Sequence, residues 1–153
     1  YGATLAALAA GYAPDGYATS DAAKAGVEKL KAYFKATPPP DQHHRAMLLW
    51  ASTKLDGLMT GDERVAAVRA LVTRQRADGG WCLPALGTYT RHDQTPNDPA
   101  AESDGYATGF VTFVLLQAGS EPTDPTVAKG VRWLKANQRA SGRWFTRSLS
   151  NDK

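Results

Sequence analysis

The stretch KGVRWLKANQRASGRW at residues 129–144 decides the fold, because two earlier stretches of the chain repeat it. Residues 66–81 read AAVRALVTRQRADGGW and end in the same Gln-x3-Gly-x-Trp pattern. Residues 25–40 read AGVEKLKAYFKATPPP and align with both without gaps, although Phe34 replaces the Gln and Pro40 replaces the Trp. Self-similarity of this kind predicts an architecture of repeated helical units.

Each repeated stretch contains the end of an amphipathic helix. In the third, Val127, Val131 and Leu134 follow helical spacing, while lysines and arginines occupy the other sides. Asp124 followed by Pro125 is typical of an N-cap with proline in the first turn. The pattern predicts amphipathic helices near 21–35, 62–76 and 125–139, each with a charged face turned outward.

Helices of a different character are predicted between these. The runs at 5–10, 47–51 and 110–116 are apolar on nearly all sides, which is typical of buried helices. Gly11, Gly57 and Gly119 follow the three runs and suit left-handed C-caps. Apolar and amphipathic helices joined by short turns therefore alternate, which predicts an all-α fold with an inner and an outer layer, the α/α toroid.

The motif resembles the QW motif of the squalene–hopene and oxidosqualene cyclases, [KR]-[GA]-x2-[FYW]-L-x3-Q-x3-G-x-W. Residues 129–144 match every position, and residues 66–81 match all but two. The resemblance implies about twelve helices in a closed α6/α6 barrel, so the six predicted here make residues 1–153 about half a ring in a single partial domain. The motif's structural residues would be these: Gln75, Gly79, Trp81, Gln138, Gly142 and Trp144.

The physical chemistry of the motif is structural. A Gln after an outer helix can bond backbone groups left unpaired there, and a Gly permits a sharp exit from the helix. A Trp can stack over the Gln amide and close the gap between neighbouring helices. The motif therefore predicts fold and carries no chemistry.

The resemblance also implies an acid in a DxDD motif that protonates an isoprenoid, and aromatic faces that stabilise carbocations. No DxDD occurs in this sequence. Acids gather instead before the third apolar run, where Asp93, Glu102 and Asp104 are weak catalytic candidates. The simpler interpretation makes Ser103 or Asp104 an N-cap, as Asp41 would be for the second run.

Aromatic residues on the apolar helices are candidates for lining a cavity. Tyr106 and Phe110 share a helix face by i, i+4 spacing, and Trp50 lies on the second apolar run. Core packing is the alternative for each of them.

A zinc site is not predicted. His43, His44, His92, Asp93 and Cys82 match no ligand spacing typical of zinc, and a lone cysteine forms no internal disulfide. No metal and no other cofactor is expected.

The formal charge of +3 is spread over several segments, which favours a solvated helical surface over a nucleic-acid interface. No apolar run approaches the roughly 18–20 residues of a membrane span. The absence of an initial Met indicates processing or a fragment. Localisation stays open, and a periplasmic or membrane-peripheral location is compatible with this pattern.

Two functional hypotheses follow. The resemblance implies a squalene–hopene cyclase-like repeat domain with a cavity for an apolar isoprenoid-type ligand. The alternative is a non-catalytic toroid module that binds a lipid, a peptide or a partner subunit. Because half a ring would expose apolar helix faces, we also expect self-association or another chain that completes the toroid.

Overall fold

The computed structural model describes residues 1–90 and 94–147. These residues form six α-helices, two short 3-10 turns and no β-strand. The helices are α1 (Gly2–Tyr12), α2 (Asp21–Ala36), α3 (Gln42–Ser52), α4 (Gly61–Val72), α5 (Gly105–Gln117) and α6 (Pro125–Asn137). The 3-10 turns cover Tyr17–Thr19 and Leu83–Ala85.

The chain divides into two compact units, Tyr1–Val68 and Arg69–Lys153, with the boundary inside α4. In the first unit α1 packs against α2 and α3. Its core comes mainly from α1 and α3, where Ala7, Leu49 and Ala51 are fully buried. In the second unit α5 packs against α6, and Val111, Val114, Leu115 and Val127 are fully buried.

The predicted alternation of helix types is present. The amphipathic α2 buries only Ala23 and Val27, whereas the apolar α5 buries six of its thirteen residues. Burial of the apolar helices is less complete than predicted, because Leu5 on α1 and Phe113 on α5 are exposed. Helix type therefore follows the sequence pattern, but an apolar helix keeps an exposed side.

Short polar side chains cap the starts of the helices, and Asp41 and Asp124 are caps that the sequence predicted. Ser20 accepts a hydrogen bond from Ala23 N, Asp41 from His44 N, and Asp124 from Thr126 N. Each bond satisfies a backbone donor that the first turn of the helix leaves unpaired. The starts of the helices are therefore fixed by local sequence.

The predicted helix ends were less accurate. α4 ends at Val72 and α6 at Asn137, where 76 and 139 were expected. After Val72 the backbone forms turn hydrogen bonds, such as that from Gln75 N to Val72 O. After α6 the backbone is already extended at Gln138. Both motif glutamines therefore lie past the helix, in the turn that leaves it.

The prediction for Gly11 was wrong, because this residue lies inside α1. A Cβ added there would be 2.5 Å from Lys54 O, so glycine allows the turn after α3 to approach α1 closely. Gly119 directly follows the C-cap of α5 with φ of 99° and is the left-handed residue that was expected. Gly57 also has a positive φ, but lies five residues beyond the end of α3.

Candidate functional site

The second repeated motif forms a hydrogen-bonded link within the Arg69–Lys153 unit. Gln75 Nε2 donates to Gly79 O at 2.9 Å and to Thr126 O in α6 at 2.8 Å. Gly79 takes a φ of 91°, which disfavours any residue with a Cβ. Trp81 is fully buried, and its Nε1 donates to Leu71 O at 2.8 Å. The turn after α4 is thereby tied both to its own helix and to the next amphipathic helix.

The third motif repeats two of these three hydrogen bonds, those made within the motif and to its own helix. Gln138 Nε2 donates to Gly142 O at 2.9 Å, and Trp144 Nε1 donates to Leu134 O at 2.7 Å. Gly142 has a φ of 79°. The two motifs differ in burial, since Trp81 is 0% exposed and Trp144 is 39% exposed. The same hydrogen-bonded turn is therefore buried in the second motif and partly exposed in the third.

Asp78 is a structural residue that the sequence analysis missed. Its carboxylate accepts hydrogen bonds from Gly80 N, from Ser103 Oγ and from Trp133 Nε1 of α6. Burial alone would raise the pKa of this carboxyl, but these bonds and the nearby Arg76 charge outweigh burial and lower it. Asp78 is thus held ionised at the edge of a shallow depression in this unit.

Asp104 is the N-cap of α5, as the simpler interpretation held. Its Oδ1 accepts from Ala107 N at 2.9 Å and from Thr146 Oγ1 at 3.2 Å, and its Oδ2 accepts from Leu83 N at 2.6 Å. The side chain is buried, and three donors of the chain itself occupy it. These hydrogen bonds fix the loop before α5, so the carboxylate has a structural role.

The start of α5 receives two further contacts from the segment after the third motif. Gly105 N donates to Phe145 O and Tyr106 N donates to Thr146 Oγ1, both at 2.9 Å. Both N–H groups belong to the first turn, where no partner exists within the helix. Residues 145–146 therefore complete the N-terminus of α5.

The other candidate acids are placed differently. Glu102 is exposed at the rim of the depression beside Asp78, and neither of its oxygens takes part in an ion pair within the described residues. Asp93 lies outside the described residues, as does His92. Of the two candidate acids that the structure describes, Glu102 is exposed and Asp104 is buried as an N-cap, so they do not form one site.

Two of the three aromatic candidates meet. The rings of Tyr106 and Phe110 stack with centroids 5.9 Å apart and an interplanar angle of 10°. Tyr106 is 45% exposed and Phe110 is half-buried, so the pair lies at an accessible surface near the start of α5. Trp50 belongs to the Tyr1–Val68 unit, where its Nε1 donates to Tyr12 Oη at 3.3 Å.

The histidines at the start of α3 also have structural surroundings. His44 Nδ1 lies 2.8 Å from Asp41 Oδ1, and His43 is buried. Burial, followed by repulsion from His44, lowers the pKa of His43. Cys82 is buried, with Sγ 3.5 Å from Pro99 O. Within residues 1–90 and 94–147, no cluster of three such side chains could hold a metal ion.

Comparison with protein families identifies one match. The profile of the squalene-hopene cyclase C-terminal domain matches residues 47–151, which include both Gln-x3-Gly-x-Trp motifs and helices α4 to α6. The chain belongs to the squalene-hopene cyclase family. Comparisons with curated proteins and with solved structures gave no match.

Membership in the squalene-hopene cyclase family confirms the predicted fold class. This family folds as an α/α toroid, and the six helices alternate between apolar and amphipathic as that fold requires. In the described part of the chain, no helix combines the length and apolarity needed to cross a bilayer.

Proposed function

We propose that this squalene cyclase-like repeat domain contributes part of the wall of a cavity for an apolar isoprenoid-type ligand. The observation that carries the proposal is the stacked Tyr106–Phe110 pair, which lies at an accessible surface near the start of the apolar helix α5. Accessible aromatic rings on an inner helix have little reason to be there for core packing alone. Their faces suit both an apolar chain and a developing carbocation.

The role proposed for this chain is binding and charge stabilisation. The sequence has no DxDD, and the carboxylate of Asp104 is occupied by three hydrogen bonds. These three bonds hold the loop before α5 and the segment at Thr146, so the structure gives Asp104 a structural role. Tyr106 and Phe110 would therefore orient the ligand and stabilise positive charge on it.

Replacement of Phe110 by Leu tests this proposal. The probes are an isoprenoid chain carrying a tertiary ammonium, which mimics the carbocation, and the same chain without charge. We expect the variant to weaken binding of the ammonium probe by about 2- to 30-fold, the range of a cation–π contact, and that of the neutral probe less. Isothermal titration calorimetry measures both affinities.

Tyr17→Leu is the matched control, because Tyr17 is an exposed aromatic residue in the other unit and does not line the groove there. It should leave both affinities unchanged. Equal losses for the two probes in Phe110→Leu, or failure of the unsubstituted chain to bind either probe, would remove the support for a carbocation-stabilising role.

The second candidate function is a non-catalytic module that joins another chain or a second copy. It is favoured by the exposure of Trp144, the last residue of the third motif, and of Phe145 directly after it, whereas the corresponding Trp81 of the second motif is fully buried. Exposed aromatic residues next to a formed helix turn are typical of a surface that another chain covers.

Sedimentation distinguishes this second candidate. We expect the 16.4 kDa chain to sediment with a mass that rises with concentration, because association would cover the exposed Trp144 and Phe145. A chain that stays monomeric and fully helical by circular dichroism over the whole concentration range would count against the module.

A further inference from the structure

A groove of about 760 Å³ opens in the Tyr1–Val68 unit between the end of α2 and the start of α4. It lies at the first repeat, where the motif is degenerate. In the gap-free alignment Phe34 takes the position of Gln75, and Pro38 takes the position of Gly79. Both Phe34 and Pro38 line the groove.

The second repeat shows what fills this place elsewhere. There Gln75 Nε2 donates to Thr126 O of α6, and a Cβ added at Gly79 would lie 3.1 Å from Lys129. The positions on α4 that align with Thr126 and Lys129 are Glu63 and Ala66, and both line the groove. The groove is therefore the gap between successive amphipathic helices that the complete motif closes and the first repeat leaves open.

The groove has an apolar floor and a stiff wall. Leu48 and Leu58 are buried beneath it, with Phe34 and Met59 half-buried beside them. Pro38 and Pro39 form one side, and their rings fix the backbone there. Its volume is within the ~300–1,000 Å³ of small-molecule sites, and a preformed wall reduces the ordering that binding requires.

Some of the charged side chains around the groove have polar partners, and others form no ion pair. Lys31 pairs with Glu28 at 3.0 Å. Glu63 accepts from Thr60 N at 2.7 Å and so completes the cap of α4. Lys35 and Arg45 also line the groove, and neither has an ion-pair partner within 4.0 Å in the part of the chain that the structure describes. Hydrogen bonds with Thr60, and after them the charge of Arg45, lower the pKa of Glu63, so Arg45 lies near this carboxylate without a direct ion pair. Two cations that form no direct ion pair therefore lie beside an apolar floor.

We propose that this groove binds a single-chain amphipathic carboxylate. Its alkyl chain would lie over Leu48, Leu58 and Phe34, and its head group would be held by Arg45 with Lys35 at the rim. Arg45 is half-buried on α3, and a planar guanidinium can hold a carboxylate through two parallel hydrogen bonds. This site is separate from the aromatic pair on α5 and does not depend on the function proposed above.

Calorimetric titration of the full chain with dodecanoate and 1-dodecanol, both below their aggregation concentrations, tests the site. We expect one dodecanoate per chain and weaker binding of the alcohol. Arg45→Gln should weaken dodecanoate binding by about tenfold or more, as expected for the loss of a charge-assisted bond, and should leave dodecanol unchanged. Lys135→Gln, which removes an exposed cation from α6, is the control and should change neither.

A second pair of variants tests the place of the site. Ala66 and Ala32 are exposed residues of α4 and α2 that line the groove, so Trp at either position should fill it and abolish dodecanoate binding. If one variant does not fold by circular dichroism, the other decides.

Binding that survives both filled grooves, or that is equal for acid and alcohol, would overturn the proposal. So would tighter binding of dodecyl phosphate, since the head group would then not be a carboxylate.

Discussion

Replacement of Trp81 by Ala is expected to lower the free energy of unfolding by about 3–5 kcal/mol, the usual cost of deleting a buried large aromatic side chain. Trp81 is fully buried, and its indole N–H satisfies the Leu71 carbonyl near the end of α4. The substitution would therefore leave a cavity and remove one of the two hydrogen bonds to Leu71 O, which would still accept from Arg74 N. Urea titration followed by circular dichroism at 222 nm measures the change.

Trp144→Ala is the matched comparison, because Trp144 makes the same bond to Leu134 O in the third motif but is 39% exposed. Trp144→Ala should lower the free energy of unfolding by clearly less than Trp81→Ala, since less apolar area returns to water. Equal losses for the two variants would mean that burial by α5 and α6 does not add to the stability of the second motif.

Gly130→Ala is expected to destabilise the chain by about 1–3 kcal/mol, although alanine is the better helix former. A Cβ at this position of α6 would collide with Thr112 Oγ1 and lie 3.0 Å from Trp81 Cζ3. Both neighbours are buried, so neither can move aside without disturbing the core. Thermal and urea unfolding should both show the loss.

The first repeat offers the control. Gly26 occupies the aligned position on α2, and a Cβ added there meets nothing within 4 Å. Gly26→Ala should therefore stabilise the chain by up to about 1 kcal/mol through helix propensity alone. A stabilising Gly130→Ala would contradict the close packing of α6 against α5 and Trp81.

The fold could be predicted because its signals are local. The repeat spacing, the apolar runs and the caps Asp41, Asp104 and Asp124 each act within a few residues of chain. Helix starts were therefore accurate. Helix ends were not, because the turn bonds after Val72 depend on how Gln75 and Trp81 pack against distant partners.

The site could be predicted only in part. The i, i+4 spacing of Tyr106 and Phe110 placed them on one face, and the structure stacks them. Asp78 carries no sequence signal of its own, because two of its partners, Ser103 and Trp133, are 25 and 55 residues away. Its position directly before Gly79 of the motif was the one available clue.

The groove could not be predicted at all. A missing Gln and Trp in the first repeat show that a link is absent, but do not show whether neighbouring side chains collapse into the space. Collapse depends on the shape of the surroundings, and here the prolines at 38 and 39 contribute a stiff wall.

The cap that residues 145–146 provide for α5 has a consequence for the order of synthesis. The backbone donors of Gly105 and Tyr106 leave the ribosome about forty residues before their acceptors on Phe145 and Thr146. Asp104, which caps Ala107 N, is next to α5 in sequence and is therefore made before the partners of Gly105 N and Tyr106 N. Elongation past Thr146, more than elongation through α5 itself, therefore sets when the start of this helix can be completed.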